Sequence, residues 1–294
     1  MSSPELYEDT ISFPVGPMGS RLEARFFRTT VAPTESAKGF VPRVLNQLPI
    51  RVVDDYPVGG ELKRRGGVIV PLVAGDACRI ELRVHGGAVA ARVGAGKINA
   101  LSGGAWNDRV PPQPGEHLCI RKPICIDGFL ASGGNAQQFV AHPIGFGSTA
   151  EERETGSAIW GGLQIQAIPM TEEALSLHHR DIDGGVMHDI PAFAPRQAPL
   201  EPLLLGFGRG GSIKQHLLLD TFESNAWNLA AAIRCFVTIM DQCAFEALTG
   251  EIVRRPSTSD VLSESDDTRA QSAPYKVPQA LASYLRVTAK SKKE

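Results

Sequence analysis

Cys78-Arg79-Ile80-Glu81-Leu82-Arg83-Val84 alternates residue by residue, with Ile80, Leu82 and Val84 on one side and Arg79, Glu81 and Arg83 on the other. That period of two is the mark of a strand with one face in a core and the other towards water. His85-Gly86-Gly87 turns the chain, and residues 88–93 return as a second strand, so the pair reads as a hairpin. Upstream lies Val68-Ile69-Val70-Pro71-Leu72-Val73, closed by the turn Ala74-Gly75-Asp76. Downstream, glycine-rich turns and the proline-rich stretch 110–115 separate residues 98–101, 118–120, 124–126 and 139–141, each short and apolar. Leu163-Gln164-Ile165-Gln166-Ala167-Ile168 alternates again with its glutamines outward. Short strands at close spacing without a strand-helix-strand rhythm predict a mainly β fold, a β-sandwich or partly closed barrel with a few peripheral helices.

Composition agrees with that reading. Among 294 residues there are 30 glycines and 21 prolines, a supply of turn formers that suits many short strands. The formal net charge of -2 excludes a strong electrostatic footprint for nucleic acid or an anionic membrane. No apolar run reaches the roughly 18–20 residues that a membrane-crossing helix needs. The start, Met1-Ser2-Ser3-Pro4-Glu5, lacks the basic beginning and apolar core of a signal peptide. Five cysteines, an odd number without Cys-x-x-Cys spacing, argue against both a disulfide framework and a structural zinc site. Reduced thiols in a cytoplasmic protein are the expectation.

Three regions follow. Residues 1–40 read as an N-terminal arm that lies on a neighbouring subunit, with Phe13, Leu22, Phe26 and Phe27 as its contact residues. Residues 41–253 form the β-rich core, which the polar, proline-containing stretch 171–202 divides into two lobes or decorates as a long loop. Thr171 followed by Glu172-Glu173-Ala174-Leu175 suits the first turn of a short helix there. Residues 224–248 carry apolar residues at helical spacing, yet Arg234-Cys235-Phe236-Val237-Thr238-Ile239 is rich in strand formers. A strand over 234–239 and a helix from 241 to 249 is the preferred reading. Residues 254–294 form a flexible tail with a short helix over 278–288.

Two blocks carry a resemblance. The first runs Gln138-Phe139-Val140-Ala141-His142-Pro143-Ile144-Gly145 through Thr155-Gly156 to Gly161-Gly162-Leu163-Gln164-Ile165. The second runs from Arg234-Cys235-Phe236-Val237-Thr238-Ile239 to Ala247-Leu248-Thr249-Gly250-Glu251. Together they resemble a family of uncharacterised bacterial and fungal proteins, in which the first block reads Arg-Gln-Phe-Val-Ala-Met-Pro-Leu-Gly followed by Gly-Tyr-Thr. Here Gln137 stands where that pattern has arginine, His142 replaces methionine, and Gly147-Ser148-Thr149 lacks the tyrosine. The resemblance implies a shared fold and a strand over 234–239, and it brings no reaction with it.

Four places stand out as candidate sites. His178, His179, Asp181, Asp183 and His188, with Asp189 beside them, are the densest set of metal-ligand types, suited to zinc, manganese or iron. The plain alternative is a polar surface loop, since no two of these histidines share His-x-x-x-His spacing. Gly206-Phe207-Gly208-Arg209-Gly210-Gly211 matches Gly-x-Gly-x-x-Gly, but no ribose-binding acid follows at the required distance, Asp220 being too near. A glycine-rich loop between strands is expected there. His117 and Cys119, two apart on a strand, share a face and could pair as base and nucleophile, against the commoner outcome of a buried structural thiol. Trp160, with Gln164 after it, is the candidate stacking platform for a carbohydrate. None of these assembles a catalytic signature, and no cofactor is indicated. The leading expectation is a non-catalytic, self-assembling homo-oligomer, a shell, filament or coat-like protein. The alternatives are a carbohydrate-binding β-sandwich module and a metal-dependent enzyme built on 178–189.

Overall fold

The computed structural model describes residues 3–16, 20–33, 40–111, 113–130, 135–158, 160–178, 203–215, 217, 220 and 222–256. In chain order the elements begin with β1 (Glu5–Tyr7), β2 (Thr10–Pro14), β3 (Arg21–Thr29), β4 (Val44–Gln47) and β5 (Arg51–Val52). They continue through α1 (Gly60–Arg65), β6 (Val68–Leu72), β7 (Ala77–His85), β8 (Val89–Ala95), β9 (Ile98–Asn99) and β10 (Leu118–Ile120). Next come β11 (Ile124–Ile126), β12 (Gly128–Leu130), β13 (Asn135–Pro143), α2 (Ala150–Thr155), β14 (Leu163–Pro169) and α3 (Glu172–His178). The last are β15 (Leu204–Lys214), β16 (Ile233–Asp241) and α4 (Gln242–Thr249).

The strands form one large sheet whose main path runs β1-β2-β3-β7-β13-β15-β16-β14-β8-β10. Its pairings are antiparallel except that β6 runs parallel to β16. The fold is mainly β, and the sheet does not close into a barrel. It curls around its main apolar cluster, which takes Phe13, Leu22 and Phe26 from one end and Val93, Ile120 and Ile165 from the other. Two halves of one sheet thus face each other across a shared core, as the layers of a sandwich do.

The expected arm is built into this sheet. Leu22, Ala24 and Phe26 alternate with Arg21, Glu23 and Arg25, the same period as 78–84, and β3 pairs with β7 along its whole length from Arg21↔His85 to Thr29↔Ala77. Phe13, Leu22 and Phe26 are wholly buried within the chain, while Phe27 lies on the opposite face, half-buried. An apolar face finds its cover locally when a strand with matching alternation is available.

The hairpin expected over 78–93 does not form. β7 pairs with β3, β11 and β13, whereas β8 pairs with β14, β9 and β10. Gly86 and Gly87, with φ of 70° and 120°, turn the chain from one half of the sheet to the other instead of folding it back. Nor does the stretch 171–202 divide the core into lobes, because β16 lies between β15 and β14 and all three share one apolar cluster. The strand and helix expected at 234–249 are present as β16 and α4, and α4 is capped by Asp241, whose carboxylate accepts the Cys243 amide at 3.0 Å. Residues 257–294, with the expected short helix, lie outside the described residues.

Candidate functional site

The outer face of β8, β14 and β16 concentrates polar and aromatic side chains. Antiparallel register places Arg92, Gln166 and Arg234 in one row and Gly94, Gln164 and Phe236 in the next. The connection between β9 and β10 lies across these rows. Arg92 donates to the carbonyl oxygens of Asn107 and Val110 at 3.0 Å each, and Gln166 donates to that of Asp108 at 3.1 Å. The Asp108 carboxylate pairs with Arg234. Trp106 rests on Gly94, where a Cβ would come within 2.6 Å of the indole.

Trp160 arrives on the same face from the segment after α2. Gly162 there has φ of 57°, and a Cβ would meet the Val237 carbonyl oxygen at 2.3 Å, so only glycine lets the chain drop into β14. Glu151, buried in α2, accepts the amides of Trp160 at 3.3 Å and Gly161 at 2.8 Å and fixes this entry. The Trp160 ring stacks on Phe236 at 5.6 Å and 8° between planes. Arg65 Cζ and Lys97 Nζ lie 5.1 and 5.4 Å from the Trp160 ring centre, and Arg234 Cζ lies 4.6 Å from that of Phe236. Burial pulls the Arg65 guanidinium below its ordinary range, with Glu61 and Glu151 opposing. Trp160 is therefore one layer of a cation-aromatic stack rather than a bare platform. Gln164 lies beneath it, 3 % exposed, with its amide donating to the Gly96 carbonyl oxygen at 2.6 Å.

The thiol-histidine pair has other partners. His117 Nδ1 faces the Gln113 carbonyl oxygen at 3.0 Å and Nε2 faces the Asp220 carboxylate. Asp220 also accepts the Trp227 indole N–H at 3.0 Å and the Phe222 amide at 2.9 Å. With both ring nitrogens engaged, His117 has none to offer Cys119 as a base. Burial raises the Cys119 thiol, with Arg121 pulling back. Burial alone pushes Cys235 up to about 12, and burial also drives Cys78 upward. Such thiols hold their protons near neutrality and are poor nucleophiles.

Hollows lie elsewhere on the surface of the described residues, two of them notable. One, of about 300 Å³, sits between β11 and the end of β15 and is lined by Lys122, Ile124, Cys125, Lys214, Gln215 and Leu217, among others. The other, of about 510 Å³, runs beside β4 and is lined by Leu45, Gln47, Pro49, Ile252, Val253 and Pro256, among others. Among the described residues β4 pairs on one side only, with β3. Val41, Val44 and Ile252 are 62 %, 47 % and 92 % exposed.

His179, Asp181, Asp183 and His188 lie outside the described residues, and His178 closes α3 without a described side chain. Among the described residues no group of three or more His, Cys, Asp and Glu could hold a metal ion. The glycine motif 206–211 is strand β15 itself rather than a loop. Sequence reasoning passed over Lys97, Trp106 and Phe236, which come from three separate segments, and over Asp220 as a partner of His117. Period-two reasoning did hold the clue to one row, since Gln164 and Phe236 both point outward from their strands. Among the described residues no helix is long and apolar enough to cross a membrane. Comparison with family models, with curated proteins and with solved structures finds no match to this chain.

Proposed function

We propose that this protein works by self-association rather than by catalysis, through the open edge of β4. The observation that carries the reading is the company this edge keeps. Val41 and Val44 stand on or just before the strand and Ile252 stands across the groove, three of the most exposed large apolar side chains described. An unpaired edge offers a row of backbone donors and acceptors, and sheet proteins ordinarily guard such edges with lysine, proline or a covering loop. Here exposed Val41, Val44 and Ile252 stand beside it, among the polar neighbours Asn46, Gln47, Glu251 and Arg254. A second copy, its own β4 lying antiparallel across a two-fold axis, would extend the sheet and cover Val44 and Ile252 of both copies at once.

A reducing cytoplasm is the setting we infer, since all five cysteines, Cys78, Cys119, Cys125, Cys235 and Cys243, are unpaired thiols. The test is sedimentation velocity across micromolar concentrations, with the double variant Val44→Lys and Ile252→Glu beside the parent chain. The parent should sediment as a dimer or larger species and the variant as a folded monomer. A monomeric parent, or a variant that associates as well as the parent, overturns the reading.

A further inference from the structure

The stack around Trp160 has a chemistry that self-association through β4 leaves unused. Arg65 comes from the end of α1, Lys97 from the turn between β8 and β9, and Trp106 from the connection that follows β9. Trp160 follows α2, and Arg234 and Phe236 belong to β16. Lys97 ties two of these pieces together, because the Trp106 amide donates to its carbonyl oxygen at 2.7 Å while its ammonium lies over Trp160. Three cations therefore meet on one patch. The carboxylates nearby are committed, Asp108 to Arg234, Glu61 to Arg64 and Glu151 to the amides of Trp160 and Gly161, while the Arg65 guanidinium donates to the Trp160 carbonyl oxygen. Lys97 is exposed and has no acidic partner among the described residues.

Two hydrogen-bond donors on this face of the sheet, the buried indole N–H groups of Trp106 and Trp160, have no acceptor among the described residues. Buried donors ordinarily find partners, so an unpaired one marks a place where an acceptor is favoured. Trp106 lies on a connection rather than on a strand, so a small displacement of that connection would open its N–H to an incoming oxygen. What the patch offers is thus positive charge and N–H donors, both of which seek oxygen.

We propose that this patch binds an acidic saccharide, a sugar carrying carboxylate or sulfate groups. Lys97 and Arg65 take the oxyanion, and the indole N–H groups take a second oxygen of that group or a hydroxyl. Cations resting on aromatic rings keep their charge while losing some of their hydration, which favours exchange of water for a sugar oxyanion. Stacking of a nucleobase is disfavoured, because the Trp160 and Phe236 rings are already layered on each other and overlain by Arg65, Lys97 and Arg234. The net charge of -2 likewise suits a short anionic group better than a long polyanion.

Tryptophan fluorescence and calorimetric titration of the full chain test this with four probes of matched length. They are a sulfated oligosaccharide, an oligouronate, an uncharged oligosaccharide and a single-stranded oligonucleotide. One or both charged saccharides should bind and shift the emission, and the arm that binds identifies sulfate or carboxylate. Lys97→Glu, an exposed turn position, should weaken that binding about tenfold or more, which is about 1.4 kcal/mol. Trp160→Phe, which keeps a ring but removes the N–H, should weaken it while leaving the far-UV spectrum unchanged. The inference is overturned if neither charged saccharide binds, if the uncharged sugar or the oligonucleotide binds as well as they do, or if Lys97→Glu binds unchanged.

Discussion

His142 shows how a single side chain can be both a packing element and a source of pH dependence. Its ring lies against β15 where Gly208 has no Cβ, and a methyl there would sit 2.4 Å from the ring. Burial lowers its pKa from the ordinary 6.5 to about 4, Arg153 adding to the shift and Glu152 opposing it. The unfolded chain therefore takes up the proton at a higher pH than the folded one. Stability from this group is complete above about pH 6.5 and falls as pH drops towards 4, by on the order of 3 kcal/mol in all. His142→Met, which matches the ring in apolar bulk and carries no charge, should flatten this limb. Urea unfolding at several pH values between 4 and 7 measures it, and an equally steep limb in the variant would assign the dependence to another group. Residue identity here was plain from sequence, but environment was not. His142 reads as a variation in a turn-rich block until β15 supplies the glycine beneath it. The His117–Asp220 pair was hidden for the same reason, since 103 positions separate the partners.

At the scale of elements, alternation foretold strands better than it foretold neighbours. Period two assigns faces, so 78–84 and 163–168 were legible, whereas residues 22–27 read only as the apolar segment of an arm; which strand lies alongside depends on contacts far away in the chain. That is why 78–93 looked like a hairpin and why the glycines of 206–211 looked like a loop. In β15 those glycines make room for neighbours on both faces. A Cβ at Gly206 would meet Thr149 Cγ2 at 2.8 Å, one at Gly210 would meet Val140 Cγ2 at 2.5 Å, and one at Gly211 would meet the Pro33 carbonyl oxygen at 2.3 Å. The last is a backbone atom and cannot swing aside. Gly211→Ala should therefore destabilise by about 2 kcal/mol or more. Gly104→Ala, where only the Ser102 hydroxyl comes near at 3.4 Å, serves as the neutral comparison. Thermal unfolding of the two variants decides the matter, and equal melting temperatures would mean that residues 32–33 can withdraw from β15 at little cost.

For the whole molecule, the sharpest question concerns the first thirty residues, which from sequence looked detachable. A short apolar segment flanked by Pro14, Gly16 and Pro17 has the look of an arm, and only its pairing with β7 shows that it closes the core. β2 and β3 bring Ile11, Phe13, Leu22, Ala24 and Phe26 into the main cluster with essentially no exposure. Fully burying each large one is worth about 1.5–3 kcal/mol, and whole domains are stable by only about 5–15 kcal/mol. Removing residues 1–30 would also strip β7 of its partner from Ala77 to His85 and β4 of the strand that holds it. The deletion should consequently abolish the far-UV β signal and yield insoluble or unfolded chain, rather than a folded monomer with weakened association. Phe13→Ala is the graded version, expected to cost about 3–5 kcal/mol as a cavity in a close-packed core. If the deleted chain kept its β spectrum and unfolded cooperatively, β1–β3 would be an appendage after all, and the pairing of β3 with β7 would contribute little to stability.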